Sequence, residues 1–478
     1  MIPEKLSGAN YGGDSGDFLA AMLTGGIPHP TGYPSYILFG WLIQNLPLST
    51  PYFRGALLSV IPAAFAAGML SLWVSKWLVS KDERNVWSGV IAGILFGTAP
   101  LFWSQAVIVE VHGLQMLFVV LGLWWVSAHL FPDWSKSHVV LVTLLAFVLG
   151  FGVGNHVTII FLLPTFLFAA LVGYRRGASR KFLIVQGIAY LTGLLIYLYL
   201  PLRARAYPPI NWGNPQTWKG FWWLITAQPY HHFAFSAPLP DILGRFAAWA
   251  ALLREQFGVV GLILGVIGVV QFHWQEKHLR SLLFWILGIY SVFAIGYYTS
   301  DSVVYLLPAH LVFAVWIALA IAWFWDEKLR GIPWGRILGM GILIGFLIRI
   351  AYVYPIVDPR RDTSPATFAE TYLSEAPPKA VLITASDVDT FPLWYYHFGF
   401  GWRSDVIIVV GPLTRFSWYQ ESLIHTYPEV MFPLVQSEFE KEGDWWMRLL
   451  ALNPDRPVCY SQPSPEEDVP VGYFCQEP

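Results

Sequence analysis

Two carboxylates lie three residues apart near the start of the chain, Asp14 and Asp17 in YGGDSGDFLAAMLTGGIPHPTGYP. The same stretch, Tyr11 to Pro34, carries His29 and Tyr33 in a turn punctuated by Pro28, Pro30, Gly32 and Pro34. A carboxylate held in a polar loop can take a proton from an attacking hydroxyl, so Asp14 and Asp17 are the candidate catalytic residues. They also have a structural reading: Asp14 fits a helix N-cap and Asp17 the third helical position of a capping box ahead of FLAAML, with Gly25-Gly26 ending the helix. Further polar residues sit where apolar runs end: Glu110 and His112, Asn155 and His156, Arg203 and Arg205, and Asp301. Arginine matches a phosphate with a fork of N–H donors, which makes Arg203 and Arg205, with His156, candidates for holding an anionic leaving group. Each again has a plainer role. Glu110 fits an interfacial carboxylate, Asn155, His156 and Asp301 fit helix caps, and the arginines fit pairing with a protein carboxylate or a lipid headgroup. His231-His232 lacks the spacing of a metal ligand set.

What must position these residues is a membrane. The chain is 55% hydrophobic and 13% charged over 478 residues. A soluble domain carries about 25% charged residues. Apolar runs of the length that crosses a bilayer recur: Arg54–Leu78, Val86–Gln105, Val111–Phe131, Val139–Gly154, Val157–Tyr174, Phe182–Leu200, Phe257–Phe272, Ser281–Tyr298, Val303–Trp325 and Trp334–Tyr354. This predicts an all-α polytopic domain of about ten transmembrane helices over residues 54–355. Tyr33–Leu46 is too short to cross and reads as a juxtamembrane helix, closing an opening region of residues 1–53. The net charge of −2 gives no electrostatic basis for nucleic-acid binding.

The loops alternate in charge. Lys76, Lys81 and Arg84, then Lys136, then Arg175, Arg176, Arg180 and Lys181, then Lys277 and Arg280, then Lys328 and Arg330 make one basic set. The positive-inside rule places that set in the cytoplasm. Asp14, Asp17, His29, Glu110, His112, Asn155, His156, Arg203, Arg205 and Asp301 then converge on the opposite, extracytoplasmic face. This topology puts Met1 outside with no helix to carry it there: either the short N-terminus is translocated or a first transmembrane helix is missing from this sequence, and the second is the expectation.

Beyond Pro355 the composition becomes water-compatible. Ala380–Thr384 and Val406–Val410 read as buried strands around a helix near Phe391–Phe398, which predicts a small extracytoplasmic α/β domain over residues 356–478. Cys459 and Cys475 both fall there, where a disulfide and two buried thiols are equally admissible.

Five blocks then carry a resemblance: GDSGDFLAAMLTGGIPHPTGYPSY, FWSQAVIVEVHGLQMLF, GFGVGNHVTIIFLLP, YLYLPLRA and INWGNPQTWKGFWWLITAQPY. In this order they resemble the polytopic GT-C-type membrane glycosyltransferases that include the eukaryotic transmembrane protein O-mannosyltransferase and bacterial relatives. The resemblance covers most of Gly13 to Pro308. It implies transfer of a sugar, mannose among the candidates, from a polyprenyl-phosphate donor to a protein or glycan acceptor at the extracytoplasmic face of a bacterial plasma membrane. It further implies that the acidic residue of the first outer loop is catalytic, which carries over to Asp14 with Asp17 as second candidate, and that Glu110, Asn155, His156 and Arg203 line the same cavity. His29, Tyr33, His112 and Asp301 are expected around the acceptor. The expected mechanism is inverting, with an Asp general base. No cofactor follows from these residues, and a divalent cation remains an open alternative. A transporter or scaffold for lipid-linked glycans is the rival reading from another class.

Overall fold

The computed structural model describes residues 2–78, 83–131, 135–271, 277–325, 327–328, 331–435, 444–462 and 472–476. Lys81, Phe272 and Arg330 lie outside the described residues, as do the side chains of Arg84 and Lys136.

The opening region folds as predicted, with one change at its first turn. Helix α1 (Ser15–Thr24) ends at Gly25, whose φ of 61° is the left-handed conformation glycine adopts without cost. Asp14 occupies the N-cap position, but its side chain makes no cap hydrogen bond. The Asp17 carboxylate does not turn back to the helix start either, so the expected capping box is absent; both acids are committed elsewhere. Helix α2 (Pro34–Gln44) is the short juxtamembrane helix, with Phe39, Trp41 and Leu42 exposed on it.

The bundle follows as α3 (Pro51–Trp77), α4 (Glu83–Gly97), α5 (Pro100–Ala106), α6 (His112–Leu130), α7 (Lys136–Val153), α8 (Leu163–Arg175), α9 (Arg180–Leu194) and α10 (Tyr199–Ala204). It continues through α11 (Trp218–Ile225), α12 (Leu239–Gln271), α13 (Lys277–Gly296), α14 (Leu307–Phe324) and α15 (Trp334–Val357). Hydroxyls start several of these helices: Thr50 accepts from Phe53 N at 3.2 Å for α3, and Ser179 from Phe182 N at 3.1 Å for α9. Among the described residues, eight helices are long and apolar enough to cross a membrane, or nine if the bent pair Val86–Gly97 and Pro100–Ala106 is one span. That pair bends by 67° where Pro100 opens α5. The remaining expected span, Val139–Gly154, is the shorter apolar helix α7. Pairs α3 with α4 and α6, α7 with α9, and α12 with α14 form the main packing, around the buried helices α6 and α14.

The C-terminal unit holds α16 (Ser364–Glu375), β1 (Val381–Thr384), α17 (Asp387–Phe400), β2 (Ile407–Val410), α18 (Ser417–Thr426), α19 (Asp444–Leu452), β3 (Val458–Gln462) and β4 (Gly472–Gln476). The sheet order is β2-β1-β3-β4, with β1 parallel to both neighbours and β4 antiparallel to β3. Cys459 and Cys475 sit opposite each other on β3 and β4 and form a disulfide. Of the two states the sequence allowed, the bridged one is present.

Helix α17 is what joins this unit to the opening region. It lies directly on α1, so closely that a Cβ on Gly16 would stand 2.5 Å from the Phe391 carbonyl oxygen. Phe18, Leu19 and Tyr36 share one buried cluster with Phe391, Trp394 and Leu382. The candidate base and the C-terminal unit are therefore parts of one packed core.

Candidate active site

The site begins with how α1 and the proline-rich turn hold three side chains. Asp17 is fully buried, and its Oδ2 accepts hydrogen bonds from the His29 backbone N–H at 2.8 Å and from His29 Nδ1 at 2.7 Å. The His29 ring, packed against Phe18, Tyr33 and Phe391, turns its Nε2 toward Asp14 Oδ2 at 3.5 Å. Burial alone would lower the His29 pKa, but the Asp14 and Asp17 carboxylates outweigh it and raise it to about 9. His29 is thus an imidazolium held between two carboxylates near neutral pH. Asp14 differs from Asp17: its side chain remains 44% exposed, opening into a cavity. The surrounding protein raises its pKa by desolvation, His29 pulls it down, and Asp301 and Asp17 push it up.

That cavity has a volume of about 400 Å³. Its walls combine apolar groups such as Ile160, Phe161 and Phe293 with Tyr33, Tyr230, Tyr297 and Tyr305. Asp14, His29, His156, Asp301 and Asp387 also face it. A second cavity of about 410 Å³ lies between the opening loop and the C-terminal unit, lined by Asn10, Gly12, Gly13, Pro365, Val388 and Pro392. Asp14 and Asp301 line both. A recess of about 50 Å³ beside them adds Glu110, His112 and Gln105. Burial and the nearby Asp14 charge raise the Glu110 pKa well above the carboxylate range. His156 accepts from Thr158 N at 3.3 Å through Nδ1, and burial lowers its pKa to about 3, so it is neutral.

Several sequence expectations land elsewhere. Arg203 does not line these cavities: its Nε donates to the Gly25 carbonyl and its Nη2 to the Thr24 carbonyl at 3.1 Å. It closes the C-terminal end of α1, where carbonyls lack helical partners. Arg205, one residue past α10, is exposed and lines none of the three. Neither arginine is among the residues that line these three cavities. Asn155 is fully buried, donating to the Val111 carbonyl at 3.2 Å and to Gln115 Oε1 at 3.3 Å, and it ties α6 to the end of α7 rather than facing the cavity. Among the described residues no three His, Cys, Asp or Glu side chains are grouped to hold a metal ion, so the cation left open by the sequence has no ligand set there.

Asp387 is the residue that sequence reasoning missed. It opens α17, faces the 400 Å³ cavity, and has a pKa raised to about 7 by burial and by Asp14. A signal was present: Asp387 follows the carboxyl end of the parallel strand β1, where α/β sheets place ligand groups. Tyr230, Tyr297 and Tyr305 had no such signal, because tyrosines at span ends are ordinary interface residues.

Residues 14–179 match the family described as protein O-mannosyl-transferase TMEM260 N-terminal domain, and residues 365–434 match TMEM260-associated domain 2. The protein O-mannosyl-transferase TMEM260 of Mus musculus is 25% identical over 500 residues, which cover 96% of this chain and 66% of that protein. The corresponding protein of Dictyostelium discoideum is 21% identical, over 88% of this chain and 57% of its own length. The chain thus spans less than two thirds of the curated relatives it matches. In fold it is similar to ArnT from Cupriavidus metallidurans bound to undecaprenyl phosphate, with a TM-score of 0.55 at 12% identity over 96% of this chain and 90% of ArnT. In sequence the chain is thus similar to the transmembrane protein O-mannosyltransferases over these stretches, and in fold, with its multiple helices long and apolar enough to cross a membrane and its small C-terminal sheet, it is similar to ArnT.

Proposed function

We propose that this protein transfers a sugar, mannose by analogy with its relatives, from a polyprenyl-phosphate donor to a hydroxyl of a protein or glycan acceptor. The observation that carries this reading is the position of Asp14 at the junction of two cavities. The aromatic and apolar cavity suits the sugar and first isoprene units of a lipid donor. The glycine-lined cavity beside the C-terminal unit suits the acceptor. Asp14 takes the proton of the acceptor hydroxyl as its oxygen attacks the anomeric carbon. The new C–O bond forms as the bond to the donor phosphate oxygen breaks from the opposite face, which inverts the centre. Asp17 holds His29, and His29 lowers the Asp14 pKa against the effect of burial and orients the carboxylate. Glu110, whose pKa is raised by burial and by Asp14, faces the recess beside Asp14 and serves as a hydrogen-bond partner to substrate hydroxyls. The charge alternation of the loops supports a site facing away from the cytoplasm.

The test is transfer from polyprenyl-phosphate mannose to acceptor peptides and glycans in proteoliposomes. General-base catalysis contributes about 10²–10⁴-fold, so Asp14→Asn is expected to lower turnover by that factor. Turnover unchanged in Asp14→Asn removes the base assignment, and no transfer by the wild-type protein from any polyprenyl-phosphate sugar removes the reading as a whole.

A further inference from the structure

A cavity that receives a lipid phosphate needs a positive counterpart, and the cavity facing Asp14 is short of them. Its lining includes no lysine and no arginine among the described residues, but three carboxylates, Asp14, Asp301 and Asp387. The cationic groups available are histidines. His29 is already neutralised between Asp14 and Asp17. His156 is buried and uses Nδ1 as an acceptor from Thr158, which leaves it uncharged. His231 alone of the three lining histidines is exposed, and no carboxylate pairs with it.

Its setting is specific. His231 lies in a 3-10 turn over Gln228–Phe233, entered through Ala227 at a φ of 55°. Its Nε2–H donates to the Thr226 carbonyl at 2.8 Å, which fixes the ring and leaves Nδ1 to carry the second proton. The turn is anchored to the end of α13, where Tyr298 N donates to the Phe233 carbonyl at 2.9 Å. On both sides in sequence the chain exposes large apolar residues, Trp218 and Trp222 before it and Phe235, Leu239 and Leu243 after it. Exposed tryptophans at the end of a helical bundle mark the headgroup level of a membrane. His231 therefore lines a cavity whose other charged side chains are mostly carboxylates, beside a run of exposed aromatic and apolar residues.

We propose that His231 is the phosphate-binding residue of this cavity, the role for which the sequence nominated Arg203 and Arg205. The inference rests on the lipid-phosphate donor reading given above. With phosphate bound, His231 donates Nδ1–H to a phosphate oxygen and Nε2–H to the Thr226 carbonyl, a contact that neither His29 nor His156 is free to make. The same chemistry accepts a lipid headgroup phosphate or free inorganic phosphate.

The experiment measures binding of polyprenyl phosphate, polyprenol and inorganic phosphate to the full chain in phosphatidylcholine nanodiscs. Wild-type protein is expected to prefer polyprenyl phosphate over polyprenol. His231→Ala is expected to weaken polyprenyl phosphate binding at least about tenfold and leave polyprenol binding unchanged. His231→Arg is expected to restore it. His231→Gln, which keeps an N–H for the Thr226 carbonyl without a charge, repeats the loss and guards against misfolding of the alanine variant. Competition by millimolar inorganic phosphate, lost in His231→Ala, assigns recognition to the phosphate alone; competition by polyprenyl phosphate only assigns it to the lipid headgroup. Undiminished preference for polyprenyl phosphate in both His231→Ala and His231→Gln overturns the His231 assignment and leaves the donor reading standing. A wild-type protein that does not distinguish polyprenyl phosphate from polyprenol overturns the donor reading, and this inference with it.

Discussion

Asp17 Oδ2 accepts from both the backbone N–H and the ring Nδ1 of His29, at 2.8 and 2.7 Å, while Asp17 itself has no exposed surface. One carboxylate oxygen thus fixes a histidine twelve residues away in two places. Two acids that look equivalent in the sequence therefore have different work: Asp17 positions, and Asp14 reacts.

That division predicts opposite profiles for two isosteric variants. Asp14→Asn removes the charge 3.5 Å from His29 Nε2 but leaves both Asp17 hydrogen bonds to His29 in place, so it is expected to destabilise less than the Asp17 variant while turnover falls. Asp17→Asn removes one partner of a buried ion pair and is expected to cost about 3 kcal/mol or more. Unfolding curves in mixed micelles, read beside turnover, separate the two. Equal destabilisation by both changes removes the distinction.

The pH dependence follows from the same trio. Asp14 has a raised pKa, so the fraction ionised as base grows with pH above the ordinary carboxylate range, and kcat/KM is expected to rise over that window. His29 lowers the Asp14 pKa, so His29→Gln is expected to move the rising limb to higher pH. Stability runs the other way. The His29 pKa is raised from 6.5 to about 9 on folding, so its stabilisation is fully present below pH 6.5 and is lost as pH rises through about 9. Melting temperatures measured across pH 6 to 10 should decline over that window in wild type and be flatter there in His29→Gln.

Arg203 is expected to be a stability residue. Arg203→Ala leaves the Gly25 and Thr24 carbonyls without a donor at the end of α1, at a cost of about 1–3 kcal/mol. The KM for the lipid donor is expected to be unchanged at temperatures where the variant is folded. A rise in that KM comparable to the one expected for His231→Ala would return Arg203 to the donor site.

Gly16→Ala tests the seam between α1 and the C-terminal unit. The added methyl would meet the Phe391 carbonyl at 2.5 Å, and Phe391 stacks on His29. Overpacking of this kind costs about 1–3 kcal/mol. Turnover is expected to fall together with stability, since parting α1 from α17 moves His29 and Asp387 with it. Full activity in a stable Gly16→Ala protein would show that the two units act separately.

Much of this molecule is set by chain-local physics. Apolar runs near 20 residues, bounded by Thr50, Ser179 and Gly25, state where helices begin and end, because the bilayer and the helix termini impose length and capping on any chain. Ala380–Thr384 and Val406–Val410 around a helical stretch announce a strand–helix–strand unit, since strands buried on both faces are continuous in apolar residues; that they pair in parallel is what the structure adds. Asp14 and His29 were nominated by residue type, loop context and the resemblance of the opening block to a known family. The structure decided what depends on residues distant in sequence. Whether Arg203 meets a phosphate or a helix end depends on a partner 178 positions away. That Asp387 faces the same cavity as Asp14 depends on α17 packing against α1 across the whole chain. Side-chain charge is legible in a sequence, but its neutralisation is a matter of distance, and distances between remote segments are fixed only when the core closes.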